Sequence, residues 1–314
     1  MGKTSIEWTD CVWNPVVGCS RKSEGCRNCW SERFLARFGG IKGHKFEGLS
    51  KFTPHGPRWS GIVRFAEDAL DEPLHFRKPR KIFVCSTSDL FHEQVPDEWI
   101  DRVFATMALT PRHTFQCLTK RPERMLRYFA QGNAIFGRIN NAARAITGDD
   151  SIAVLPTQQH GMVEGTWPLP NVWLGVSVED QSTANERIPM LLSVPAAIRW
   201  ISYEPALDPV EFCSCEHREQ TVVRISCGLH GLRLLHWIIV GGESGPGARP
   251  FDIEWARHTI RRCRQAGVAC FVKQLGRRPN TPTRLRSPKG GSIEEWPVDL
   301  QVREFPKTSD MILT

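Results

Sequence analysis

Six short apolar runs set the terms for how this chain can fold. IFVC (82–85), FQCL (115–118), VWLGVSV (172–178), IRWISY (198–203), HWIIV (236–240) and VACFVKQ (268–274) are rich in Val, Ile, Phe and Trp, and their length and composition suit β-strands. VWNPVV (12–17) is an earlier candidate, which Pro15 marks as an edge or irregular first strand. Between the runs lie stretches with helical spacing. In 95–109, Val95, Trp99, Val103 and Met107 share one face, with Pro96 and Asp97 suited to the first turn. Residues 122–130, 180–194 (interrupted by Pro189) and 251–267 follow in the same manner, with Gly267 placed as a terminator. Strands alternating with helices imply βα units and an α/β fold around a mainly parallel sheet. Residues 132–170 and 208–235 break the rhythm and read as insertions, the first with a short helix at 138–146. The chain then divides into one α/β domain over 1–276 and a basic, irregular C-terminal extension over 277–314.

Each run ends in polar or charged residues: STSDLFHE after 82–85, TKRPER after 115–118, EDQ after 172–178, EP after 198–203 and GGESGPGARP after 236–240, while the last run closes on Lys273 and Gln274. In a parallel barrel these C-terminal ends share one face, where active sites are built. An open doubly wound sheet would collect them mainly at a topological switch point. Helix capping accounts for one or two such residues, Asp89 and Asp180 among them, but poorly for all six ends.

WNPVVGCSRKSEGCRNCW (13–30) precedes this series and follows the first candidate strand, so a barrel would put it on the same rim. Cys26 and Cys29 form a CxxC pair and Cys19 stands seven residues earlier. Such a trio can meet one metal or cluster, and Arg21, Lys22 and Arg27 favour the thiolates. Two readings stand. A [4Fe–4S] cluster held by three cysteines leaves one iron open; a structural zinc wants four closed ligands, with Cys11 as the fourth. Cys213, Cys215, Cys227 and His230 offer a second zinc site within 208–235. Cys85, Cys117, Cys263 and Cys270 fall in strands or on a helix, as small core residues. Trp8, Trp13 and Trp30 flank the cysteine loop and are expected to shield it.

The chain carries eleven cysteines and a net charge of +7. No apolar run approaches a membrane span, and MGKTSIEWTD lacks the order of a secretory signal. A cytoplasmic protein is expected, in which clustered cysteines bind metal or do redox chemistry and seldom form a disulfide framework. Lys273, Arg277, Arg278, Arg284, Arg286 and Lys289 make a basic run with no acid between them, a lean towards the phosphates of DNA, RNA or a nucleotide.

IEWTDCVWNPVVGCSRKSEGCRNCW, RKPRKIFVCSTSDLFHEQVPDE, FQCLTKRPERM, PNVWLGVSVEDQ and WIIVGGESGPGARP, in that order, resemble the three-cysteine-motif protein family of phages and prophages. SDLFHE and LTKRPERM are distantly similar to the spore photoproduct lyase branch of radical S-adenosylmethionine (SAM) proteins, which repairs DNA. The resemblance implies a TIM-like partial (β/α) barrel of radical SAM type, a [4Fe–4S] cluster on Cys19, Cys26 and Cys29, and a three-Cys-motif partner protein. It also implies reductive cleavage of SAM to modify or repair a nucleic acid or nucleotide. The loop here is C-x6-C-x2-C, longer in its first gap than the usual C-x3-C-x2-C.

On that reading Ser86, Ser88 and Asp89 are candidates for the amino and ribose groups of SAM, and Lys120 or Arg121 for its carboxylate. Ser177, Glu179 and Glu204 would hold ribose or substrate, and Gly241, Gly242 and Glu243 form a turn able to approach a ligand. Lys120, Glu204 and Glu243 are the candidate catalytic groups. The alternative is a zinc-stabilised nucleic-acid-binding module without catalysis, working with a partner protein.

Overall fold

The computed structural model describes residues 2–156, 166–212, 229–281 and 285–307. Its main sheet contains eight strands: β1 (Gly2–Lys3), β2 (Cys11–Trp13), β7 (Lys81–Val84), β8 (Thr114–Thr119), β9 (Val172–Val178), β10 (Ile198–Tyr203), β11 (Trp237–Gly241) and β12 (Ala269–Gln274). They are hydrogen-bonded in that sequential order. Only β1 runs antiparallel, against β2, and the other seven form the parallel sheet of an α/β fold of partial (β/α)-barrel type. Consecutive order with a helix at most crossovers is what short right-handed βα connections produce. The remaining strands make small pairs, β3 (Val16–Val17) with β6 (Arg64–Phe65), and β4 (Ser50–Thr53) with β5 (Gly56–Trp59).

The chain forms two compact units. The first comprises residues 1–23, 29–174 and 193–197. Here Pro15 divides the expected VWNPVV strand into β2 and β3, and β2 lies between β1 and β7 and is not an edge. Trp13 is fully buried, its indole N–H on the Ala69 carbonyl at 2.6 Å. Helix α1 (Trp30–Ala36) follows the cysteine loop. Helix α2 (Asp97–Leu109) buries Ile100, Val103, Phe104 and Met107, each worth about 1.5–3 kcal/mol in apolar surface removed from water. Against it packs α4 (Ala134–Thr147), longer at both ends than the short helix expected at 138–146. Between them in sequence, α3 (Pro122–Phe129) places the Tyr128 hydroxyl on the buried Asp101 carboxylate at 2.7 Å, and Arg138 meets the same group at 2.7 Å.

The second unit comprises residues 24–28, 175–192 and 198–314. Strand β9, whose last four residues belong here, is buried along its whole length, as expected of a parallel strand covered on both faces. Helix α5 (Gln181–Leu192) contains Pro189 and continues past it, so the proline does not interrupt the element. Helix α6 (Leu229–Arg233) precedes β11, and α7 (Ile253–Ala266) packs on β12. Asp252 caps α7 at the N-terminus and Gly267 closes it at φ 74°. The described residues after 277 (278–281 and 285–307) hold no α-helix or named strand but are packed. Val272 N–H donates to the Val302 carbonyl at 2.8 Å, Trp237 Nε1 to the Glu304 carbonyl at 2.8 Å, and the Phe305 ring packs tilted against Trp237 and edge-on against Phe271. Among the described residues no helix is long and apolar enough to cross a membrane.

Candidate functional site

In the first unit the cysteine loop leaves the end of β3 and runs into α1. Cys19 and Cys29 are partly exposed, as is Cys26 in the second unit. Cys11, Cys85, Cys117, Cys263 and Cys270 are buried. Burial pushes the Cys85 thiol up to about 12 and holds Cys11 and Cys117 above the ordinary thiol range, so these groups stay protonated. The expected core role of Cys85, Cys117, Cys263 and Cys270 is therefore seen. Of the three tryptophans proposed as a shield, Trp8 packs on Phe83 and Trp13 on Phe115 in the core, while Trp30 beside Cys29 is 55% exposed.

Cys19 is backed by a buried ionic network. The Arg121 guanidinium, 2% exposed, reaches Cys19 Sγ at 4.0 Å, the Asp89 carboxylate at 3.3 Å, Glu93 at 2.8 Å, and the carbonyl and hydroxyl of Ser20 at 3.0 and 2.9 Å. Burial alone would lower the Arg121 pKa; the charges of Asp89, Cys19 and Glu93 reverse that and raise it. Asp89 also accepts from Phe91 N (3.0 Å), Thr119 Oγ1 (2.8 Å) and Lys120 N (3.0 Å). Both candidates are thus engaged by their own chain: Asp89 ties the β7 end to the β8 end, and Arg121 ties both to the cysteine loop. Ser88 donates to the Val16 carbonyl at 2.7 Å and Ser86 to Asn14 Oδ1 at 3.1 Å, which brace the same turn. Cys85 opens that turn at φ 59°, in the left-handed region that a non-glycine residue seldom adopts.

Sequence reasoning missed two groups here. His92 Nε2 lies 2.8 Å from Ser20 Oγ, and burial, helped by the Arg121 charge, lowers its pKa. Glu93 is held below the ordinary carboxylate range because the Arg121 hydrogen bond and charge outweigh its partial burial. Both sit in the quoted STSDLFHE block, so the signal was present without a role attached.

In the second unit, residues 24–28 carry Cys26 and are held from several sides. Asn28 Nδ2 donates to Glu243 Oε2 at 3.0 Å and to the Gly247 carbonyl at 2.9 Å. Arg249 bridges Glu243 (2.7 Å) and the Glu24 carbonyl (3.0 Å). Gly25 lies against Glu179 so closely that a Cβ there would stand 2.5 Å from Glu179 Cγ and 2.6 Å from Oε1. Glu179 cannot easily yield. It is 1% exposed and paired at 3.2 Å with Arg187, itself 2% exposed and donating to the Ser177 carbonyl at 2.7 Å. Burial would raise the Glu243 pKa, but the hydrogen bonds from Arg249 and Asn28 lower it, leaving an ionised clamp in place of a proton donor.

The other candidates of this unit lie at strand ends. Ser177 Oγ donates to the Glu204 carbonyl at 3.3 Å. Glu204, 16% exposed, pairs with Lys273 at 2.6 Å and receives Gln274 Nε2 at 3.3 Å. Gly242, the residue after β11, packs closely on the segment after β12: a Cβ would meet the Leu275 carbonyl oxygen at 2.6 Å. Arg249, Arg187 and Asn28 were not singled out from sequence; each acts through a carboxylate that was.

Among the described residues no three His, Cys, Asp or Glu side chains are gathered into a metal-holding group. Spacing, accessibility and the cation beside Cys19 are what make the cysteine loop a candidate donor set. Cys11 stands at the start of β2, buried, its Sγ 3.9 Å from the Lys81 carbonyl oxygen, whereas the loop departs from the end of β3. Cys213, Cys215 and Cys227 lie outside the described residues, as does the His230 side chain.

No curated protein and no solved structure matches this chain. The family described as "Protein of unknown function (DUF5131)" matches it from residue 3 to residue 297, and to that family the chain belongs.

Proposed function

We propose that the chain is an iron–sulfur enzyme of radical SAM type, with Cys19, Cys26 and Cys29 as cluster ligands and a nucleic acid or nucleotide as substrate. The observation that carries the reading is the sorting of the thiols among the described residues: three partly exposed cysteines within eleven residues, against five that are buried. The donor set fits the group chemically, since all three thiols are accessible and Cys19 has the fixed Arg121 guanidinium beside it. The buried position of Cys11 favours three donors over the four that a structural zinc wants. When bound, the cluster supplies a low-potential electron and an iron open to SAM.

The protein's own groups then have distinct tasks. Arg121 positions Cys19 and offsets its charge, and because its donors are already engaged it is a positioning residue. Lys120, the other cation at the end of β8, is the group proposed for the SAM carboxylate. Asn28, Glu243, Arg249 and Gly25 fix the CxxC segment. The partly exposed Glu204, held by Lys273, is the carboxylate suited to gripping a ribose or substrate hydroxyl. Electron paramagnetic resonance of the anaerobically reconstituted, dithionite-reduced protein tests this: a cluster signal altered by SAM is expected. A signal indifferent to SAM would remove the radical SAM assignment, and a silent, zinc-containing protein would favour the non-catalytic binding module.

A further inference from the structure

The basic run near the C-terminus is not one solvated stripe. Lys273 turns into the unit and pairs with Glu204 at 2.6 Å. Arg277, Arg278 and Arg286 line a cavity of about 450 Å³ together with Gly276, Thr281 and Ser287, and among the described residues no acidic side chain lines it. Its walls are built. Gly276 turns at φ 79° with its Cα face against the Glu243 carbonyl, and Arg277 N–H donates to that carbonyl at 2.9 Å. On either side, Phe251 N–H donates to the Arg278 carbonyl at 2.9 Å, and Asn280 N–H to the Phe251 carbonyl at 3.1 Å. The opposite wall is pinned where Glu295 accepts from Arg286 N at 2.7 Å and Gly291 N–H donates to Ser287 Oγ at 3.0 Å. Glu295 also lies 3.4 Å from Arg286 Nε, so it offsets part of one charge. Among the described residues Arg277 and Arg278 have no acidic partner.

We infer that this cavity binds a phosphate of a polynucleotide strand. Exposed arginines directed into one concavity repel each other unless an anion joins them, and the planar guanidinium fork matches phosphate oxygens. The volume exceeds that of an inorganic phosphate and falls in the range of ligand-sized clefts. The inference deepens the reading above by naming the group gripped in its nucleic-acid substrate. It concerns binding alone, so a failed cluster and a failed cleft give separate results.

The experiment uses the full chain, without iron or SAM, in fluorescence anisotropy against a labelled 12-nucleotide single-stranded DNA and its RNA equivalent across 50–200 mM KCl. The pair R277Q/R278Q is compared with a charge-matched pair on α7, R261Q/R264Q. Expected is a loss of about tenfold or more in affinity for the cavity pair, with the log–log salt slope shallower by about 1.4, the value for two phosphate contacts on a single strand, and little change for the α7 pair. Equal losses in both pairs would reduce the effect to net charge and overturn the site. So would unchanged binding by R277Q/R278Q, or the absence of oligonucleotide binding by the unaltered chain. Competition by AMP or inorganic phosphate at concentrations matching the oligonucleotide Kd would replace the strand with a free phosphate and overturn the polynucleotide assignment.

Discussion

Gly25→Ala is a small change that bears directly on how Cys26 is held. The added methyl would stand 2.5–2.7 Å from three atoms of Glu179, well inside contact distance. A surface carboxylate would swing away, but Glu179 is 1% exposed and bound to the buried Arg187. Either residues 24–28 lift off, or Glu179 shifts and strains that pair. Overpacking of this kind costs about 1–3 kcal/mol, and a full rupture of the Glu179–Arg187 pair about 3–5 kcal/mol. With an unfolding entropy near 2.1 cal/mol/K per residue, the lower range is about 2–5 °C in Tm for a chain of this length. Calorimetry checks the Tm, and the alkylation rate of Cys26, followed by peptide mass spectrometry, checks whether the loop has lifted. The comparison is Gly137→Ala in α4, where nothing lies within 4 Å of the new methyl, and which should gain about 0.5–1 kcal/mol from helix propensity. A Gly25→Ala protein as stable as wild type, with Cys26 no more reactive, would refute the claim that Glu179 supports the loop.

Arg121→Gln should cost about 3–5 kcal/mol in urea unfolding, because it strands the buried Asp89 carboxylate. Adding Asp89→Asn should recover part of that loss, and strict additivity would mean the two do not interact. His92 and His113 both have pKa values lowered by burial from the ordinary 6.5. Between 6.5 and those lower values the unfolded chain binds more protons, so stability present above pH 6.5 is lost as the pH falls below it. Tm scans from pH 8 to 5.5 should show that drop, reduced in His92→Gln and His113→Gln; a flat profile would contradict it. Tyr128→Phe should cost about 1 kcal/mol for the hydrogen bond to Asp101, measured by the same unfolding assay.

Much of the sheet was legible because its strands are short runs dominated by apolar β-branched and aromatic residues: 172–178 and 198–203 match β9 and β10 to the residue. The β4–β5 hairpin was not, since SKFT and GPRW mix Lys51, Arg58 and Pro57 into short strands with no clean alternation. Helix α1 was hidden by its start, where Cys29 occupies the cap position without a side-chain hydrogen bond. Pro189 misled in the other direction, because α5 tolerates it. For the site, residue type and strand-end position could be read locally, while partnership could not. Asp89 and Arg121 look like ligand-binding groups until they are seen to satisfy each other across 32 positions, and Glu243 looks catalytic until Arg249 and Asn28 occupy it. The basic run hid a similar division, with Lys273 committed to Glu204 and three arginines gathered at one cavity.

The central claim concerns what three sulfurs hold, and counting atoms addresses it most directly. Protein purified and reconstituted without oxygen should carry about four iron and four sulfide per chain, and Cys19→Ser, Cys26→Ser and Cys29→Ser should each lose them while Cys11→Ser retains them. One zinc per chain with no sulfide, lost equally from Cys11→Ser, would contradict the account.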